Sequence, residues 1–388
     1  MQDLEAVRLV LRGGSVVDWH RLNFQTVDDA RQFVRLNGFD PLNTADQESI
    51  KRVRTQAEDF LVRNFKFRLT RKLRSADSIE DLIILASNPS RWSRDQILAC
   101  VLLKTMHLVQ RIEAHHLLHE VAISEAVLFD EVERRIQRFA RRVMDLDLPI
   151  VHFYGSRKSS DSVITKLFLK KETTVAQVMD RLRYRIVTED RNAIPFVMGY
   201  LLRHLMPFNQ VMPKESSNNL VDFRQFVEGS EKLRPLIEQF QLDIGLEEDE
   251  GLGTWPNRYS GSGYRMINFV MSIPVRLDVL PELAGSEIFG SHGPVVHVMT
   301  EFQIVDREGA YLNEQGANSH AAYKKRQRRG VKERLRWGVV RQRLAHLRER
   351  ANQDAERSGA SVLDSDEFTL PSLGSSSDMT PNLPSEDK

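Results

Sequence analysis

The stretch Gly155-Ser156-Arg157-Lys158-Ser159-Ser160-Asp161-Ser162, followed by Lys166, sets a glycine turn, two adjacent cations and several hydroxyls ahead of a helical pattern. The free amides and the dipole of a helix N-terminus favour an anion, so this segment suits a triphosphate. Ser162 and Lys166 lie four apart and share a helix face. The competing reading is a solvated basic turn whose serine caps the helix. The Gly-Lys-Ser/Thr ending of a Walker A loop is absent.

Three further clusters follow. Asp180 precedes Arg185 by five residues. An aspartate at a strand entrance can offer Mg²⁺ a hard oxygen, and the arginine can neutralise phosphate. A surface salt-bridge face is the alternative. Gly261-Ser262-Gly263-Tyr264-Arg265 lets the backbone approach a ligand closely and places a ring that can stack on a base. Glu301 and Gln303 alternate along an expected strand and so share one of its faces. On that face Glu301 could hold metal or accept a proton while Gln303 orients a substrate; the rival is an edge strand with a polar outer face. Glu314, Gly316, His320, Tyr323 and Lys324 come next.

A separate histidine group, His115, His116 and His119 with Glu120, stands in a helical pattern. His115 and His119 could share a metal on one face. No third ligand is evident at suitable spacing, which leaves a structural or surface role as the competing reading.

The elements that must position these residues can be read from periodicity. From Asp28 to Met144 the pattern is helical, and Val132, Ile136, Phe139 and Val143 fall on one face. Arg134, Arg135, Arg138, Arg141 and Arg142 lie between them and are expected mostly to face water. Asn88-Pro89-Ser90 marks a turn. Residues 1–145 read as an all-α region. Beyond Pro149, strands are expected at Ile150–Tyr154, Arg185–Thr188, Tyr264–Ile273 and Val295–Val305, and helices at Asp161–Lys170 and Ala193–Leu205. This alternation indicates a mixed sheet over residues 146–324, with the whole chain α+β. A polar stretch, about 213–262, with the acidic run Glu247–Glu250, reads as a partly helical insertion with a flexible loop. Residues 324–350 hold twelve Lys/Arg against two Glu. Val331, Leu335 and Val339 keep helical spacing, so 325–350 is read as a basic helix able to contact nucleic-acid phosphates. Residues 351–388 carry eight acidic and two basic residues among many Ser and Pro, and are expected to be a disordered acidic tail.

The order and spacing of the clusters resemble the synthetase domain of RelA/SpoT-type (p)ppGpp synthetases. Lys158, Ser159, Ser162 and Lys166 keep that family's spacing. So do Asp180 with Arg185, Glu301 with Gln303, and Glu314, Gly316, His320, Tyr323 and Lys324, while Gly263-Tyr264 matches an Asn-Gly-Tyr turn in part. The resemblance implies a nucleotidyltransferase-like fold and transfer of pyrophosphate from ATP to the 3′-hydroxyl of a nucleotide or RNA acceptor. It implies Mg²⁺ on Asp180 and Glu301, which would be the catalytic pair. ATP would be held by Arg157, Lys158, Ser162, Lys166 and Arg185. The acceptor, GDP, GTP or an RNA end, would meet Tyr264, Gln303, His320 and Lys324. Ser156, Arg183, Ser262, Asn268 and Val305-Asp306 depart from the family pattern. Trp255–Arg258 stands where a Lys-Asp-Tyr segment belongs. These departures fall mainly on the acceptor side, so a domain that binds nucleotide or alarmone without turning it over is the alternative. The His-Asp pair of the family's hydrolase half is absent from the sequence.

The remaining composition bounds the setting. Fifty-five Lys+Arg nearly balance fifty-four Asp+Glu, so the chain as a whole is not a polycation. A single cysteine, Cys100, rules out an intrachain disulfide framework and fits a reducing cytoplasm. The first residues lack a basic segment followed by an apolar core, and the longest apolar run, Ile97–Val109, is interrupted by Lys104. A cytoplasmic protein without a membrane span is the expectation.

Overall fold

The structure is a computed structural model that describes residues 4–14, 19, 22–87, 93–146, 148–169, 181–231, 233, 259–283 and 288–358. Asn88–Ser90, Asp180, Glu247–Glu250, Trp255–Arg258 and the tail beyond Ser358 lie outside the described residues. The chain divides into two compact units, Met1–Val331 and Lys332–Lys388.

Helices come first: α1 (Leu4–Arg12), α2 (Val27–Leu36), α3 (Thr44–Phe65), α4 (Arg71–Ser75), α5 (Ile79–Ala86), α6 (Arg94–Glu120) and α7 (Glu125–Met144). Then β1 (Ile150–Arg157), α8 (Ser160–Leu169), β2 (Leu182–Thr188), α9 (Ala193–His204), β3 (Ser217–Asn218), α10 (Phe223–Glu228) and β4 (Ile267–Arg276) follow. The series closes with α11 (Phe289–His292), β5 (Val295–Asp306), α12 (Arg307–Asn313) and α13 (His320–Ser358). The strands form one mixed sheet in the order β1-β2-β5-β4-β3, parallel between β2 and β5 and antiparallel elsewhere. Helices ahead of a mixed sheet make the chain α+β. Among the described residues no helix is long and apolar enough to cross a membrane.

Helix α7 starts where the Ser124 hydroxyl accepts from the Val127 amide, leaving one fewer orphan donor at its first turn. It buries Leu128, Val132, Ile136, Phe139 and Val143, the expected stripe, in a core that also holds Ile186, Phe269, Phe302 and Ile304 from the sheet. Arg135 departs from its expected place in water. Its guanidinium donates to the carbonyls of Pro274 (3.0 Å), Leu36 (3.3 Å) and Leu205 (2.9 Å), and burial lowers its pKa to about 10. Three chain segments are thereby fastened to one helix. A second core, built mainly from α2, α3, α5 and α6, includes Val53, Leu73, Leu82, Ile83 and Leu102 together with Val295 of β5.

Several boundaries differ from the sequence reading. β1 runs through Gly155 and Ser156 to Arg157, because pairing with β2 continues to Arg157 opposite Leu182. β4 begins at Ile267; Tyr264 still belongs to a turn, its amide bonded to the Gly261 carbonyl at 3.1 Å. The first part of the polar stretch contributes the edge strand β3 and helix α10, since Leu220, Val221, Phe223 and Val227 are apolar enough to join the main core. Helix α13 begins at His320, where the Ser319 hydroxyl accepts from the Ala322 amide (3.3 Å), and continues to Ser358 through the helix formers Ala351, Gln353 and Ala355.

Where α6 meets β5, His107 and His297 lie close to Arg111. Burial, then Arg111 and His297, push His107 down to about 3. Burial, then Arg111, push His297 down to about 3. Both rings are therefore neutral in the fold over a range in which an unfolded chain would protonate them. Their contribution to stability is complete above the unfolded histidine pKa and is lost as pH falls from there toward 3. We expect the unfolding free energy to decline by about 1.4 kcal/mol per pH unit for each ring below about pH 6.5. Urea titrations between pH 6.5 and 5, above the carboxylate range, measure this, and His297→Gln should flatten the slope by about one proton.

Candidate active site

Strand alternation divides the sheet into two chemically opposite faces. On one, Phe153, Tyr184, Phe302 and Phe269 form a row across β1, β2, β5 and β4, with successive ring centroids 6.2, 5.7 and 5.7 Å apart. Gly155 pairs with Tyr184, and a Cβ there would come within 2.4 Å of that ring. A side chain at this position would displace the ring, which is why glycine stands inside a strand rather than in a turn.

The other face carries two polar rows. Ser156 pairs with Arg183, Arg183 with Glu301, and Glu301 with Val270. One step along, Tyr154 pairs with Arg185, Arg185 with Gln303, and Gln303 with Asn268. The register thus brings Arg183 and Arg185 side by side with Glu301 and Gln303, although more than a hundred residues separate them in sequence.

Their side chains are linked. Arg185 donates to Gln303 Oε1 from Nη2 (2.9 Å) and Nε (3.2 Å), and Gln303 Nε2 donates to Glu301 Oε1 (3.1 Å). Arg185 also reaches the Tyr264 hydroxyl (3.5 Å) and lies 3.6 Å from the Glu314 carboxylate. Burial alone would lower the Arg185 pKa, but Tyr264, Tyr154 and Glu314 outweigh it and raise it, so the group remains a cation. Glu301 and Gln303 are buried, at 8% and 5% exposure, and Arg183 is the charged register partner of Glu301 on β2. Burial raises the Tyr264 pKa while Arg185 and Arg183 oppose it, so this hydroxyl keeps its proton at neutral pH.

The start of α8 and the start of α13 complete the group. Lys324 Nζ donates to the Ser162 hydroxyl at 3.1 Å, and Ser159 donates to the same oxygen at 3.1 Å. The Lys324 pKa is lowered by burial and by Arg183. The His320 pKa is lowered by burial, then by Lys324 and Arg183, which leaves the ring neutral at physiological pH. Its plane stacks on Tyr323, centroids 6.3 Å apart. Arg183, Arg185 and Lys324 therefore bring three cations to one end of the polar face, with Glu301 and Glu314 as the carboxylates among them. Such a cluster attracts polyanions.

The turn carrying Tyr264 is clamped from both sides. Asn219 donates to the Tyr264 carbonyl (2.7 Å) and accepts from the Met266 amide (2.8 Å). Asn313 accepts from the Arg265 amide (3.0 Å) and donates to the Arg265 carbonyl (2.7 Å). Asn313 is 1% exposed, so Asn313→Ala would strand two backbone groups. A loss of about 2–4 kcal/mol in unfolding free energy is expected, measured by urea denaturation.

Of the residues singled out from sequence, Ser162, Arg185, Tyr264, Glu301, Gln303, His320 and Lys324 are gathered here. Lys158 stands where β1 ends, its amide bonded to the Arg181 carbonyl (2.8 Å), and Lys166 lies one turn beyond Ser162 on α8. Arg157 is not among them. It leaves β1 toward α7, pairing with Glu133 (2.6 Å) and Asp130 and lying 5.7 Å from the Phe129 ring centroid. Those two carboxylates raise its pKa and hold it against that helix. Arg183, which adds a second sheet cation beside Arg185, occupies a position that in sequence reads only as a departure from the family pattern. Asn219 and Asn313 carried no sequence signal, because both act on backbone groups. The departures at Val305-Asp306 have a structural use: the Asp306 carboxylate caps α12 by accepting from the Gly309 amide (3.1 Å).

No family model matches this chain, and no curated protein matches it. Among solved structures the chain is similar to small alarmone synthetase 1 from Bacillus subtilis, at 13% identity over 59% of this chain and 97% of that one, with a TM-score of 0.28. It is similar to small alarmone synthetase 2 from Bacillus subtilis, at 14% identity over 57% and 93%, with a TM-score of 0.30. It is also similar to a GTP pyrophosphokinase family protein from Streptococcus pneumoniae, at 13% identity over 57% and 91%, with a TM-score of 0.26.

Proposed function

We propose that the polar sheet face is a polyphosphate-handling site that transfers pyrophosphate from ATP to a ribose 3′-hydroxyl. One observation carries this reading. Ser162, Lys324, Arg183, Arg185, Gln303 and Glu301, drawn from four separate stretches of sequence, converge on one end of one sheet face. Phosphoryl chemistry of this kind needs alignment and charge neutralisation more than covalent help. Arg185 and Lys324 would hold the phosphates of ATP, with Ser162 donating a hydrogen bond, and Lys158 and Lys166 would extend that cradle. Glu301 would accept the proton of the attacking hydroxyl. Gln303, tied to both Arg185 and Glu301, would fix the carboxylate. Tyr264 and His320 would border the acceptor base.

Glu301 and Glu314 are hard oxygen donors of the kind Mg²⁺ takes, and Asp180, the other candidate, lies outside the described residues. The donor chemistry fits such an ion, which would screen phosphate charge when bound. The acceptor is a nucleotide, GDP or GTP, or an RNA end. The exposed cations Lys325, Arg328 and Arg329 on α13 favour an acceptor with further phosphates.

A second reading has its own observation. Arg183 stands in register with Glu301, and a cation there competes with a metal for the carboxylate. On this reading the face binds nucleotide without turnover. Incubating the full chain with radiolabelled ATP and GDP, GTP or tRNA separates the two. Transfer predicts AMP together with a labelled acceptor. Calorimetric binding of ATP with no AMP released supports the non-catalytic reading.

A further inference from the structure

Away from the polar face, the last turns of α6 expose His115 and His119, four residues apart. Their Nε2 atoms lie 3.3 Å apart and their ring centroids 4.6 Å apart. Two imidazole nitrogens bound to one tetrahedral Zn²⁺ at about 2.05 Å each would be separated by about 3.3–3.4 Å. The Nε2–Nε2 separation, that of a hydrogen bond between the two rings, is therefore also the bite of a chelate once an ion replaces the shared proton. The helix holds the two residues one turn apart on one face, so both rings stay within reach of one ion.

The surroundings extend the donor chemistry without closing it. The His116 ring lies 6.3 Å from that of His115 and 6.0 Å from that of His292, and His292 Nε2 is 3.3 Å from a Glu120 carboxylate oxygen. Among the described residues no third histidine, cysteine, aspartate or glutamate joins the pair in a closed cage. The remaining coordination positions would be filled by water, as in open rather than structural sites. Nitrogen donors select borderline transition metals over Mg²⁺ and Ca²⁺, so this chemistry differs from that of the oxygen donors around Glu301.

We propose that His115 and His119 form an open, exchangeable site for a divalent transition-metal ion such as Zn²⁺ or Ni²⁺. Metal held across one helical turn fixes the C-terminal end of α6, and it stabilises the folded chain by mass action.

The test uses the full chain, stripped with EDTA and titrated calorimetrically with Zn²⁺ alone. One saturable equivalent per chain is expected, with no comparable uptake of Mg²⁺. His115→Ala and His119→Ala should each weaken binding by at least about tenfold. His116→Ala, which leaves the chelating pair intact, should retain it. Zn²⁺ should raise the melting temperature of the parent protein and not of His119→Ala. As a readout free of substitutions, Zn²⁺ should protect His115 and His119 of the parent protein from acylation by diethyl pyrocarbonate, mapped by mass spectrometry. Unsaturable uptake, equal binding by His119→Ala, or absence of protection at both histidines would overturn the proposal.

Discussion

Replacing Glu301 with glutamine is expected to lower AMP release from ATP by roughly 10²–10⁴-fold, the range for loss of a positioned proton acceptor. The substitution keeps the shape of a side chain that is 8% exposed and packed in register with Arg183. Gln303 can still donate to the remaining oxygen, so the link to Arg185 survives. What disappears is one negative charge in a partly desolvated site. The change removes the proton acceptor and a carboxylate that would hold Mg²⁺, so turnover should fall, while ATP affinity measured without Mg²⁺ should hold or rise because repulsion with the phosphates is relieved. Initial rates of AMP formation, set beside calorimetric ATP binding, read the two effects separately. Unchanged AMP release by Glu301→Gln and by Asp180→Ala would remove both from the mechanism.

The second large effect concerns the opposite face. Phe302→Ala should cost about 3–5 kcal/mol of unfolding free energy. Phe302 is fully buried between Tyr184 and Phe269, each ring centroid 5.7 Å away, and it lies between Glu301 and Gln303 on β5. The deletion opens a cavity under the segment that carries the polar rows, and neighbouring β2 and β4 cannot close over it without breaking their pairing. Tyr311, at 67% exposure, gives the contrast: Tyr311→Ala should change stability by less than about 0.5 kcal/mol. Urea unfolding of the two variants makes the comparison. A cost below about 1 kcal/mol at Phe302 would mean that the aromatic row does not hold the sheet.

The contrast between these two faces also explains what the sequence could disclose. Glu301 and Gln303 share a face because strand period is two, a fact legible without any partner strand. The stripe on α7 was legible in the same way, from a period of 3.6. The place of Arg157 is not legible in the sequence because Gly155-Ser156 looks like a turn, while Gly155 is required by the Tyr184 ring on the neighbouring strand. Once β1 extends through those residues, alternation sends Arg157 to the α7 side and leaves Arg183 facing Glu301. That reversal depends on strand pairing, which no single-strand pattern contains. Arg135 escapes helical periodicity for a related reason, since its three carbonyl partners come from distant segments. Asn219 and Asn313 hold backbone atoms of the Tyr264 turn, and an asparagine in a polar stretch gives no hint of that.

ATP is expected to bind on the polar face defined by Arg185, Gln303 and Glu301. The most direct test is an experimental structure of the full chain with a nonhydrolysable ATP analogue. The phosphates are expected within hydrogen-bonding distance of Arg185, Lys324 and Ser162, with Glu301 facing the vacant acceptor position. An analogue bound elsewhere on the chain, or phosphates that leave Arg185 and Lys324 untouched, would contradict the account.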